Sequence, residues 1–208
     1  MSLLKTLSEA CHRTGRLAQT FDGHPLTTKE SPLSDYPATD MPLVIQINSI
    51  KGIAGTRAQF HARSAYTGVV INSNGLGSNT GREDVMNGRI LTSEIFVLSP
   101  QKMGLNPAIL RKAMLAESRK NNDYRFFSNN CVDHVIRPIQ QAGSKINLGM
   151  ISTPRELSAF CEQAVKSGQG IRISPNEYEK ALHSKNTIIH QTEHTNLALL
   201  ARLAQKNY

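Results

Sequence analysis

Three dipeptides divide this chain: Asn106-Pro107, Thr153-Pro154 and Ser174-Pro175. Each sets a side-chain acceptor directly before a proline, whose fixed φ suits the first helical position, where a missing N–H costs nothing. Thr153 and Ser174 are followed by Glu156 and Glu177 at the spacing of a capping box. A fourth start stands at Asn130, which would make Cys131 the first helical residue and Asp133 the third, a capping box with Asp in place of the usual Glu. Val132, Val135, Ile136 and Ile139 then recur at helical spacing. Pro138 falls inside this helix and removes the bond to the His134 carbonyl, so the helix must kink or be short. The second half of the chain is therefore read as helical, with a further helix over residues 196–205.

The first half differs. Leu43-Val44-Ile45-Gln46-Ile47 is β-branched and apolar, and strands are expected near residues 58–63, 68–71 and 89–98 as well. Ile95, Phe96 and Val97 imply that the last of these is buried on both faces. Residues 72–88 are rich in Gly and Asn and read as a loop. Residues 1–20 read as an amphipathic helix, with Leu3, Leu4, Leu7 and Cys11 along one face, and residues 21–42 as an extended linker or a surface-hugging arm. The expected layout is α+β, a small antiparallel sheet packed against helices, with residues 1–42 as N-terminal helix and arm and residues 43–208 as the main domain.

A chain of 208 residues is long enough for one core without disulfide staples, and three cysteines leave at least one free thiol. Cys161 shares a helical face with Leu157, Phe160 and Ala164 and reads as core. The formal charge of +8 suits an anionic partner, but the basic residues are scattered. Aromatics make up 5% with no tryptophan, too little for base-stacking platforms, so no nucleic acid is expected. No apolar run approaches a membrane span, and the N-terminal residues lack the unbroken apolar segment of a cleaved secretory signal.

Cys131 carries the chemistry. A sulfur at a helix N-terminus feels the positive end of the dipole, which favours the thiolate. Its structural alternative is a small buried hydrophobe. As a nucleophile it needs an imidazole, because a free thiol is only a few per cent ionised at neutral pH. His134 lies three residues on along the same helix, where ring and sulfur project in parallel and leave little room for a carbonyl between them. The first-turn amides are candidate oxyanion donors, and the side chains of Asn129 and Asn130 are weaker ones.

The run Tyr124-Arg125-Phe126-Phe127-Ser128-Asn129-Asn130-Cys131, with Asp133, Val135, Ile139 and Gly143 after it, resembles the cysteine signature of circularly permuted NlpC/P60-like, papain-type cysteine hydrolases. The helix near residues 107–120 and the Thr153-Pro154 start fill the slots that flank the cysteine helix in that family, and the resemblance spans roughly residues 43–165. It implies a papain-like fold and places the catalytic histidine on a strand upstream of the cysteine, where His61 stands in Phe60-His61-Ala62. It also implies a polar orienting group on the following strand, from Thr92, Ser93 or Glu94. No cofactor or metal is implied.

The reading that follows is a cysteine amidase or endopeptidase acting on peptidoglycan stem peptides. A small, basic chain of this kind resembles type VI secretion effectors. It would be made in the cytoplasm without a cleaved signal, act in a target cell's periplasm, and have a cognate immunity protein and a secretion-apparatus component as partners. Two alternatives stand beside it: a thioester-forming acyltransferase, lipase, protease or deamidase acting on host lipids or proteins, and a non-catalytic basic binding module. His190-Gln191-Thr192-Glu193-His194 matches an inverted zincin pattern, but no Asp or Glu follows it to serve as third ligand.

Overall fold

The computed structural model describes residues 29–37, 40–50, 59–67, 69–72, 90–120, 125, 128–148 and 152–178. Five strands form one antiparallel sheet: β1 (Leu43–Ile50), β2 (Gln59–Tyr66), β3 (Val69–Asn72), β4 (Ile90–Leu98) and β5 (Gly170–Ile173). Their order is β3-β2-β1-β4-β5. Helices α1 (Pro107–Ser118), α2 (Cys131–Gln141) and α3 (Pro154–Lys166) follow β4 in the chain, and a further helical turn begins at Pro175. On the sheet, α1 lies against β3, α2 against β2 and β3, and α3 against β4 and β5. The chain is thus α+β, as the segregation of strand and helix signals predicts.

Strand alternation produces two cores. Leu43, Ile45, Ile47, Ala62, Tyr66, Phe96 and Leu98 pack with the helices in the larger cluster. Val44, Ala65, Ile95, Val97, Ile171 and Ile173 face the other way and are covered by Leu33, Tyr36 and Tyr178. Leu33 and Tyr36 come from the arm, which the Ser31 amide ties to the Arg172 carbonyl of β5. The Tyr36 hydroxyl donates to the Leu98 carbonyl at 3.1 Å. Leu33 and Tyr36 therefore complete the second core. The first-half strands lie within a few residues of their expected bounds.

β5 is a correction. It falls where the sequence reads as helical, because Gly170-Ile171-Arg172-Ile173 is too short for its own period to declare it. It is a strand because β4 offers it an edge, pairing Ile95 with Ile173 and Leu98 with Gly170.

The helix starts behave as their sequences dictate. Asn106 accepts from the amides of Ala108 and Ile109, and Thr153 and Glu156 form the reciprocal box. α2 runs on past Pro138 to Gln141. Two residues on stands Gly143, whose φ of +114° is open to glycine and strained for other residues. There the amides of Gly143 and Ser144 return to Gln140 and Ile139, a Schellman closure. The expected helices over residues 1–20 and 196–205, the loop over residues 73–88, and Cys11 lie outside the described residues.

A Cβ at Gly170 would stand 2.5 Å from the Val97 carbonyl oxygen and 2.8 Å from Leu98 Cδ2. Gly170→Ala should therefore push β5 off β4 and destabilise by about 1–3 kcal/mol, the usual cost of overpacking. Urea denaturation checks this, and an unchanged midpoint would contradict the close strand approach.

Candidate functional site

The turn before α2 is held by several polar ties. Asn130 Oδ1 accepts from the Val132 and Asp133 amides at 2.8 and 3.2 Å, and Asp133 Oδ2 accepts the Asn130 amide at 2.9 Å. Asn130 Nδ2 donates to the Ser152 carbonyl at 2.9 Å, joining the start of α2 to the approach to α3. Arg137 Nη2 donates to Asn129 Oδ1. Cys131 follows as the first helical residue, 5% exposed and packed in the larger cluster. The cap takes up the amides of Val132 and Asp133 that the sequence reading offers to an oxyanion, because one cap serves the same first-turn donors.

A buried carboxylate that sequence reasoning missed lies beside this helix. Glu117, on α1, is 3% exposed. Its Oε1 is 2.6 Å from His134 Nδ1 and also accepts from Arg137, and its Oε2 accepts from Lys120 at 2.6 Å. Nδ1 of His134 is therefore the donor to a carboxylate. His134 Nε2 is buried without a hydrogen-bond partner. The signal for Glu117 was present: it continues the stripe Leu110, Ala113, Met114 at helical spacing, a carboxylate on an apolar face.

His61 stands in β2 opposite Asn48 of β1; its side chain and that of Thr92 lie outside the described ones. In the alternation of β2 it falls in phase with Arg63 and Ala65, one step out of phase with Ala62 and Tyr66. Ser93 donates to Asn48 Oδ1 at 2.7 Å. Glu94 accepts from Ser158 at 2.9 Å and pairs with Arg172, which also pairs with Glu162, each at 3.4 Å. Burial raises the Glu94 pKa and Glu162 adds to the rise, while Ser158 and Arg172 oppose it. Cys161, within α3, is fully buried, and burial pushes its thiol pKa well up, in keeping with a core role.

Among the described residues no helix is long and apolar enough to cross a membrane. Among the same residues no three His, Cys, Asp or Glu side chains gather as a metal site; His190, Glu193 and His194 lie outside them. No family model, curated protein or solved structure matches the chain.

Burial raises the Glu117 pKa, but Lys120, His134 and Arg137 together outweigh it and hold the carboxyl below its ordinary value. A folded pKa below the unfolded one gives stability that is present above the unfolded value and lost as pH falls through the folded one. Wild-type stability should therefore fall as pH drops below about 4.5, the ordinary glutamate value. Glu117→Gln should flatten that fall and, near neutrality, cost about 1.5–3 kcal/mol, the scale of hydrogen bonds to charged groups. Denaturation midpoints across pH test both, and an unchanged acid limb in the variant would remove Glu117 from the account.

Proposed function

We propose that this chain is a thiol-dependent amide hydrolase of the circularly permuted papain type, with Cys131 as nucleophile. The observation that carries the reading is the position of Cys131 as first residue of a helix whose start is fixed by the Asn130–Asp133 capping box. The dipole at that end favours both the thiolate and the oxyanion that develops on the attacked carbonyl. The thiolate sulfur bonds to the carbonyl carbon, and an imidazolium passes its proton to the leaving amine as the C–N bond breaks. Water, deprotonated by the same imidazole, then hydrolyses the thioester and returns the free thiol.

The resemblance assigns the imidazole to His61. A second assignment, to His134, is favoured by a specific observation. Glu117 holds its Nδ1 and leaves Nε2 buried and unpartnered, the division of labour that a carboxylate imposes on a catalytic histidine. The substrate class implied is the amide bonds of peptidoglycan stem peptides, reached by secretion into a target periplasm, with an immunity protein protecting the producer.

Purified protein incubated with peptidoglycan sacculi should release peptide fragments identifiable by mass spectrometry. Cys131→Ala should release none while unfolding cooperatively, and iodoacetamide should modify Cys131 faster than Cys161. Hydrolysis retained by Cys131→Ala would reject the nucleophile. His61→Ala and His134→Ala decide the base. The catalytic one should be nearly as inactive as Cys131→Ala, and combining the two should add little, since residues of one catalytic unit lose function non-additively.

A further inference from the structure

Arg63 lies in the middle of β2, in the alternation of Ala65, on the sheet face away from α1, α2 and α3. It is 5% exposed. Its Nε is buried with no hydrogen-bond partner, and among the described residues no carboxylate pairs with it. The other buried or half-buried arginines are treated differently: Arg137 is paired with Glu117, and Arg172 with Glu94 and Glu162. An unpaired buried cation is costly, and buried charges in folded proteins are ordinarily paired. Burial accordingly lowers the Arg63 pKa, and the Tyr178 phenol is the group that opposes this.

The surroundings of Arg63 form a polar row across three strands. Gln46 stands directly opposite Arg63 across β1–β2. Gln46 Nε2 donates to Asn48 Oδ1 and to Ser93 Oγ, each at 3.0 Å. Asn48 is 2% exposed. It spends Oδ1 on Gln46 and Ser93, and its Nδ2 donors have no partner among the described residues. Asn48 is the diagonal cross-strand neighbour of Arg63, at about 7–8 Å, within reach of long side chains. A guanidinium and a primary amide that share one face, with donors uncommitted, are the complement of an oxyanion.

We propose that Arg63 and Asn48 form a binding site for a small oxyanion, a carboxylate or a phosphate, on the sheet face opposite the cysteine helix. The site does not depend on the hydrolase reading. The row Gln46–Asn48–Ser93 orients the Asn48 amide, and Arg63 supplies the charge.

The test uses the full chain at constant ionic strength, with acetate or inorganic phosphate replacing chloride. Thermal unfolding of wild type should rise in a saturable way, and at one hundred times Kd the folded-to-unfolded ratio should increase about 100-fold. The stronger of the two anions identifies the class. Arg63→Met should lose this response and, in chloride, be no less stable than wild type, because it removes an unpaired charge rather than half of a pair. As a readout independent of any variant, the Arg63 Nε–Hε resonance should shift along the same titration. A wild type that ignores both anions, or a response that survives in Arg63→Met, overturns the site. So does an Arg63→Met variant that is strongly destabilised in chloride, which would mean that a carboxylate of this chain already pairs with Arg63.

Discussion

β1 is buried on both faces, and the rest of the architecture follows from that constraint. Leu43, Val44 and Ile45 are each 0% exposed, so both sides of the central strand need cover. A sheet of five antiparallel strands can leave one face to water; this one cannot, because Val44, Ala65, Ile95 and Val97 form an apolar surface there. Helices α1, α2 and α3 take one side. Leu33, Tyr36 and Tyr178 take the other, and that requirement recruits the arm into the domain. The same constraint explains the Ser31 amide on β5 and the Tyr36 hydroxyl on Leu98, which hold the cover in place.

Two-sided burial also sets the terms for every polar group in the interior. Charges brought inside are stabilised only by well-placed opposite charges and hydrogen bonds. Under the helix layer the chain meets this requirement twice, with Glu117 gathering His134, Arg137 and Lys120, and with Arg172 between Glu94 and Glu162. The two carboxylates respond in opposite directions. Cations outweigh burial at Glu117, whereas burial and Glu162 outweigh Ser158 and Arg172 at Glu94. Their contributions to stability therefore run against one another as pH falls. Glu117 loses stabilisation on acidification, and Glu94, whose proton is favoured by folding, gains it.

Much of this was legible in the sequence because local chemistry declares it. The Asn106, Asn130 and Thr153 starts are written in cap and proline signals that act within one turn, and the double burial of β4 is written in Ile95-Phe96-Val97. β5 was not legible: four residues carry no period, and their state is decided by the β4 edge. Glu117 was legible only in part, since its place on the apolar stripe of α1 marks it as odd, while two of its three partners, His134 and Arg137, come from α2. Arg63 was hidden for the same reason. Its environment is set by cross-strand register with Gln46 and Asn48, and one strand's sequence does not contain its neighbours.

The start of α2 has more anchoring than a helix cap requires. A cap needs one acceptor for the first amides, and Asn130 Oδ1 supplies it. Asn130 Nδ2 is additionally spent on Ser152, and Asn129 is gripped by Arg137, which Glu117 holds in turn. These ties reach the residues on either side of the sulfur from α1, from α2 itself and from the segment entering α3. A cysteine that merely fills space needs no such framing, and Cys161 has none of it: it sits mid-helix and fully buried in the larger cluster. A nucleophile does need it, because reactivity depends on holding the attacking atom within a fraction of an ångström of its productive position. The contrast between the two buried cysteines is therefore one of mechanical support, and it is the ground on which the proposed reading rests on Cys131 rather than on Cys161.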